Sequence, residues 1–500
     1  MSLAIIHSRA SMGMNAPLVT VEVHLSNGLP GFSIVGLPDT AVKESKDRVR
    51  SAILNSGYEF PARRITVNLA PADLPKDGGR FDLPVALGIL AASEQIPLEA
   101  LKAHEFVGEL ALSGKMRPIR GCLTAALAAR AVHRSLWLPA ENREEASLPS
   151  QVQIYPAGHL VEVCDHFNKK KEILPCPPAQ QSRKPPTKYC FDMADVKGQH
   201  LAKRAMEVAA AGKHNLLMIG PPGAGKSMLA ARLPTLLPEL TEQERLDIAA
   251  VHSVANANAE PVWQERPFRA PHHSASSTAI AGGGSNPKPG EISLAHQGVL
   301  FLDELPEFNR KALEILREPL ETGEIAISRA HAQTTYPANF QLVAAMNPCP
   351  CGKPDKPPEG CSNPAYCCTR YQSRLSGPLL DRIDIHLRID ALPLTALARS
   401  NSQKNETSAE IRQRVTRARE KQLQRANKPN HDLNSREVEA YCHLSPQDQA
   451  FITRAAEKLD LSARAFHRIL KVARTIADLD DKNAIETRHL SEALSYRAVF

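Results

Sequence analysis

Three uninterrupted apolar runs mark the middle of the chain, and each ends abruptly in a glycine or a polar side chain. Leu216-Leu217-Met218-Ile219 runs into a glycine-rich stretch, Val299-Leu300-Phe301-Leu302 into Asp303-Glu304, and Leu342-Val343-Ala344-Ala345-Met346 into Asn347. Runs this short, with no polar alternate, predict strands buried on both faces, as in a parallel sheet covered by helices. Ile383 to Ile389 is a further β-like stretch. Glu324 to His331 followed by Ala332 to Pro337 predicts a hairpin ahead of the third run. Towards the C-terminus the pattern changes: apolar residues at 466, 469/470, 473 and 476/477 follow the helical period. The pattern therefore predicts an α/β body followed by a helical region.

The glycine-rich stretch is Gly220-Pro221-Pro222-Gly223-Ala224-Gly225-Lys226-Ser227, and Met228 to Leu233 after it reads as the opening of a helix. Strand, loop and helix in that order are the context that makes this pattern a phosphate-binding loop. Its glycines let backbone N–H groups crowd around phosphates, Lys226 reaches the β- and γ-oxygens, and Ser227 is placed to ligate Mg²⁺. Asp303 and Glu304 leave their strand at its carboxyl end, where nucleotides bind in open α/β sheets. Asp303 is expected to hold Mg²⁺ and Glu304 to orient or deprotonate the attacking water. Asn347 is suited to position water beside the γ-phosphate. These motifs predict an ATPase.

Composition narrows the setting. A chain of 500 residues is too long for one core and implies several domains. No stretch approaches the roughly 20 apolar residues of a membrane span, and Met1 to Arg9 lacks the apolar core of a secretion signal. A cytoplasmic protein is expected, with no membrane partner. The net charge of +7 permits a polyanionic partner without requiring one. A Pro- and Lys-rich segment at 166–191 reads as a linker, and a polar run near 398–408 as a second break. The expected plan is an N-terminal domain at 1–165, an ATPase core at 192–398 with an insertion at 349–368, and a helical lid at 399–500.

Two arginines complete the motif order, Arg382 in Leu379-Leu380-Asp381-Arg382-Ile383-Asp384 and Arg464 in Leu461-Ser462-Ala463-Arg464. This order resembles AAA+ ATPases and, in detail, the magnesium-chelatase-like family. Its most specific stretches are Arg266-Pro267-Phe268-Arg269-Ala270-Pro271-His272-His273, Pro289 to His296 and Ser376 to Arg382. The resemblance implies that Asn347 is sensor 1, Arg382 an arginine finger acting on a neighbouring subunit, and Arg464 sensor 2. An arginine finger works only between subunits, so a homohexameric ring is implied. Arg374 competes with Arg382 for that role. Adjacent His272 and His273 cannot easily share one metal, and they read as a structural or substrate-facing loop.

Ala70 to Leu83 and Gly108 to Ile119 resemble the proteolytic domain of Lon, which implies an N-terminal α+β domain. At the positions of the Ser nucleophile and Lys base stand Arg80 and Leu123, which can neither attack a peptide nor accept the proton. The domain is expected to be catalytically inactive, so the chain is no protease. Arg63-Arg64 and the Lys76/Arg80 pair suggest a basic surface for nucleic acid, with an oligomerisation scaffold as the alternative.

Cys349, Cys351, Cys361, Cys367 and Cys368 cluster in a segment rich in Pro, Gly and Lys. Such a segment has no core of its own, and a thiolate Zn²⁺ site would cross-link it. Four of the five would serve, with Cys367 and Cys368 competing for the last place. The family resemblance implies a DNA motor on single-stranded and branched DNA, promoting branch migration or unwinding of incoming DNA in natural transformation. An arginine-rich helix (Arg412, Arg414, Arg417, Arg419, Lys421, Arg425) and the hairpin residues Arg329 and His331 are candidate DNA contacts. The alternative is an ATPase that remodels a protein partner.

Overall fold

The computed structural model describes residues 2–36, 40–74, 76, 78–177, 191–255, 264–284, 287–329, 332–349, 369–391, 405–459 and 461–497. Cys351, Cys361, Cys367, Cys368 and His331 lie outside the described residues, as do the side chains of Arg329 and its strand neighbours to 333.

The buried apolar runs form one parallel sheet. Its strand order is Phe268–Arg269, Val299–Leu302, Gln341–Met346, Leu216–Ile219 and Ile385–Arg388. The continuous apolar character has a direct cause. Leu216, Met218, Val299, Phe301, Val343 and Ala345 pack into one hydrophobic core, while Leu217, Ile219, Leu300, Leu302, Leu342 and Ala344 pack into another on the opposite face. Alternate side chains point to opposite faces of a strand, so both sets must be apolar when both faces are covered.

The C-terminal helices belong to the first of these cores. Ser408–Ala426, Ala463–Leu479 and Thr487–Ser495 pack with helix His200–Gly212 in a cluster that runs from Met193 to Tyr496. Helix Ala463–Leu479 matches the predicted period, and Ser462 caps it by accepting from the Ala465 N–H. Helix Ser408–Ala426 opens on a capping box between Thr407 and Glu410.

The N-terminal body is a second α/β unit around a mixed sheet of seven strands. Antiparallel Ser2–Arg9, Leu18–Ser26 and Arg64–Ala70 form one side, and parallel His104–Phe106, Ser135–Pro139 and Ile154–Ala157 the other. It docks on the ATPase through helix Cys122–Ala131, which packs against helix Glu242–Ala255. The Gly121 N–H donates to Ser253 O at 2.9 Å, and Leu123 packs on Ala249 and Ala250. Glu324–Arg329 and Ala332–Pro337 form the predicted hairpin, paired from Glu324–Pro337 to Arg329–Ala332. Among the described residues, no helix is long and apolar enough to cross a membrane.

Candidate nucleotide site

The three polar strand ends converge. Ile219 and Met346 lie side by side, so Gly220 and Asn347 leave the sheet together, and the strand carrying Asp303 is next in order. A cleft of about 320 Å³ opens there, lined by Pro222 to Met228 with Asp303, Glu304, Met346 and Asn347. The loop conformation needs its glycines. Gly223 and Gly225 have φ of 78° and 90°, and a Cβ on Gly220 would sit 2.2 Å from Ile389 O.

Lys226 Nζ donates to Gly220 O at 2.7 Å, Pro221 O at 3.0 Å and Asn347 Oδ1 at 3.0 Å. Burial lowers its pKa, and the Asp303 and Glu304 carboxylates oppose that shift. The lysine is thus held by three acceptors across the floor of the cleft, where an arriving phosphate can replace them. Ser227 Oγ donates to Asp303 Oδ2 at 2.6 Å. A hydroxyl and a carboxylate this close form a hard-oxygen pair of the kind that holds Mg²⁺. Ser227 and Asp303 would hold the ion, which when bound neutralises charge developing on the phosphates. Asp303 Oδ1 also accepts from the Glu304 N–H at 2.9 Å, which fixes the carboxylate's orientation.

Glu304 adopts φ 52°, ψ 47°, a left-handed conformation that costs a non-glycine residue about 1–3 kcal/mol. Its Oε2 lies 3.3 Å from His273 Nδ1. His273 lies on a loop, as expected, and touches the proposed catalytic carboxylate. The cause lies in the sheet. Phe268–Arg269 pairs parallel to Val299–Leu302, so the loops leaving the two strands emerge side by side. Arg269 also grips Glu291 through two bonds of 2.7 Å, tying two of the specific sequence stretches together.

The two finger candidates differ in exposure. Arg382 is 8% exposed, its Nη2 2.5 Å from Glu321 Oε1 and its Nη1 donating to Pro378 O at 2.7 Å. Arg374 is half exposed, bridged to Glu307 at 2.8 Å, with its guanidinium 5.9 Å from the Tyr371 ring centre. Arg464 is exposed in the first turn of its helix.

Two basic features depart from expectation. Lys76 and Arg80 do not form a surface: they are 1% and 5% exposed, Lys76 donates to Pro71 O, and Arg80 donates to Arg120 O at 3.0 Å. The arginine-rich helix spends most of its charge internally. Arg414 pairs with Glu207 and Glu406, Lys421 with Asp481 and Arg425 with Asp478, while Arg419 donates to Ala210 O and Ala211 O at the end of helix His200–Gly212. Cys349, two residues after Asn347, is buried.

A polar centre that the sequence did not betray lies at the opposite end of the sheet. Asp384, 2% exposed, accepts from the Asn215 N–H at 3.2 Å and from Arg468 at 3.3 Å, with His214 Nδ1 at 3.2 Å and His431 Nδ1 at 2.6 Å. Burial would raise its pKa, but His431, His214 and Arg468 outweigh burial and hold it well below the usual carboxylate range. With Arg468 on the carboxylate and Lys471 donating to His431 O, the cluster is an ion-pair hub ill suited to a further cation. It ties the segment carrying Arg382 to the helix carrying Arg464.

Known proteins match this chain along its length. Residues 192–397 fit the family described as magnesium chelatase, subunit ChlI. Residues 21–142 fit subunit ChlI of Mg-chelatase, and 405–497 the C-terminal part of subunit ChlI. Competence protein ComM of Haemophilus influenzae is 54% identical over 505 residues, covering 100% of this chain and 98% of its own. YifB of Escherichia coli is 51% identical, with the same coverage of 100% and 98%. The magnesium-chelatase 67 kDa subunit of Chlorobaculum tepidum is 26% identical over 158 residues, 31% of this chain and 23% of its own.

Proposed function

The chain belongs to the magnesium-chelatase-like family of ATPases, in the branch shared by ComM and YifB, and on that premise we propose that it is a ring-forming, ATP-driven DNA motor. The family implies use of ATP and Mg²⁺. The reading goes further: a homohexamer moves branched junctions or unwinds DNA while incoming single strands are recombined during natural transformation. One observation carries it. The assembled cleft of Lys226, Ser227, Asp303, Glu304 and Asn347 occurs in a chain alike from end to end to a protein named for competence.

In this reading Lys226 and the loop amides bind the phosphates, Glu304 activates water, and Asn347 orients it. Arg382 serves the neighbouring subunit's nucleotide, for which it must leave Glu321, and Arg374 is the exposed competitor. Arg464 completes the site as sensor 2. Removing the true finger should lower turnover by about 10³–10⁵ with nucleotide binding retained. Comparing Arg382→Ala with Arg374→Ala therefore assigns the role: the variant that keeps near-normal turnover is not the finger. In this reading the N-terminal body is a disarmed peptidase-like domain, with Arg80, which is buried, and Leu123, which packs on Ala249 and Ala250, in place of a nucleophile and base.

A second reading, an ATPase that remodels a protein partner, draws on the likeness to the chelatase subunit and on the internal pairing of the basic helix. Turnover measured with and without single-stranded DNA separates the two. Stimulation by DNA supports the motor, and indifference to any DNA favours the remodeller.

A further inference from the structure

Between the N-terminal body and the ATPase lies a cavity of about 390 Å³, built from both. The N-terminal body supplies Arg80, Arg120 and the backbone of Gly78, and the ATPase supplies Lys288 and Tyr336. Glu109 is the single carboxylate among the described lining residues, and Arg117 already bridges it at 3.4 Å. Two exposed cations, Arg120 and Lys288, thus face one compensated acid among the described lining residues. Arg80 is fixed in the wall by its bond to Arg120 O. The Arg120 and Lys288 side chains are exposed at the cavity, and neither joins an ion pair among the described residues. Gly78, at φ 73°, turns the chain at the cavity edge.

The opposite wall leads to the hairpin. Tyr336 is buried, donates to Pro287 O at 2.7 Å, and lies on the strand Ala332–Pro337 that climbs to the hairpin tip. The N-terminal body reaches the same base: a Cβ on Gly13 would sit 2.3 Å from Thr334 Cγ2. The cavity, the hairpin base and the contact between the two bodies therefore form one continuous surface.

A concavity whose described lining carries two exposed cations and a polar glycine edge suits an anion strung along a chain better than an apolar ligand. We propose that this cavity holds the sugar–phosphate backbone of a single DNA strand, with Arg120 and Lys288 on phosphates. The strand would then pass from the N-terminal body to the hairpin of the ATPase. The proposal rests on the DNA-motor reading above and gives the N-terminal body a part in holding the substrate.

The test is a salt titration of binding to a fluorescein-labelled oligothymidine strand, followed by anisotropy in the full-length protein. For wild type, the logarithm of affinity should fall linearly with the logarithm of salt. Arg120→Ala with Lys288→Ala should weaken binding about tenfold and reduce the slope by about 1.4, two contacts at about 0.7 each. Both side chains are exposed, so melting temperature and DNA-free ATP turnover should stay at wild-type values. A control, Arg454→Ala with Lys458→Ala, removes two exposed cations elsewhere and should leave the slope unchanged. If wild type binds while the cavity variant keeps its affinity and slope, or the control loses as much, the cavity assignment is overturned and the motor reading stands. If wild type binds no strand at any salt, both are overturned.

Discussion

Lys226 shows how a nucleotide site is stored before its ligand arrives. Two carbonyls and the Asn347 amide occupy its ammonium, so phosphate binding exchanges three neutral acceptors for charged ones. Lys226→Ala should therefore abolish nucleotide binding and turnover together, as read by a fluorescent nucleotide and by phosphate release. Glu304→Gln should separate them: binding is retained while turnover falls about 10²–10⁴-fold, the usual worth of a general base. His273→Ala belongs with it. Without the contact at 3.3 Å the carboxylate loses its fixed aim, and turnover should fall roughly tenfold at unchanged nucleotide affinity. An unchanged rate in that variant would make the contact incidental. The loop, Asp303, Glu304 and Asn347 were legible because their chemistry is local, each following its own apolar run. His273 was not, because only the parallel pairing of Phe268–Arg269 with Val299–Leu302 brings it to the acid.

At the scale of elements, the central strands could be read because both faces are buried, and the helix Ala463–Leu479 because one face is. The Asp384 hub escaped for the complementary reason. His214, Asp384, His431 and Arg468 are far apart in sequence, and each alone looks like an ordinary surface polar residue. Asp384→Asn should destabilise the fold by about 3 kcal/mol, since it removes the buried carboxylate shared by Arg468, His214, His431 and the Asn215 N–H. Urea unfolding measures this, and a loss under about 0.5 kcal/mol would show that the hub contributes nothing. The sign with pH follows from the depressed pKa of Asp384. Its stabilisation is full above the unfolded carboxyl's pKa near 4 and is lost as pH falls below that value. Hairpin placement was legible from the pattern, but the burial of Lys76 and Arg80 was not, because it depends on how the N-terminal sheet folds around them.

The whole molecule carries its own acid sensitivity. Burial pushes His296 down to about 4 and His386 to about 3, from an ordinary value of 6.5. Both are neutral when folded, whereas the unfolded chain takes up protons below 6.5, so stability falls as pH drops from there. Between pH 6.5 and about 5 each should contribute a loss of about 2 kcal/mol, an effect of about 1.4 kcal/mol per unit. His386→Asn should flatten that part of the stability curve, and a curve of unchanged slope would remove His386 from the account.

At the scale of the whole molecule, the proposed DNA motor is what the two α/β bodies and the shared C-terminal core would have to serve. The most direct measurement is strand exchange on a branched DNA intermediate, with ATP and with Lys226→Ala as control. A DNA motor should give branch movement that requires ATP and vanishes in the variant. Intact ATP turnover with no branch movement, and with the same rate whether or not DNA is present, would contradict it.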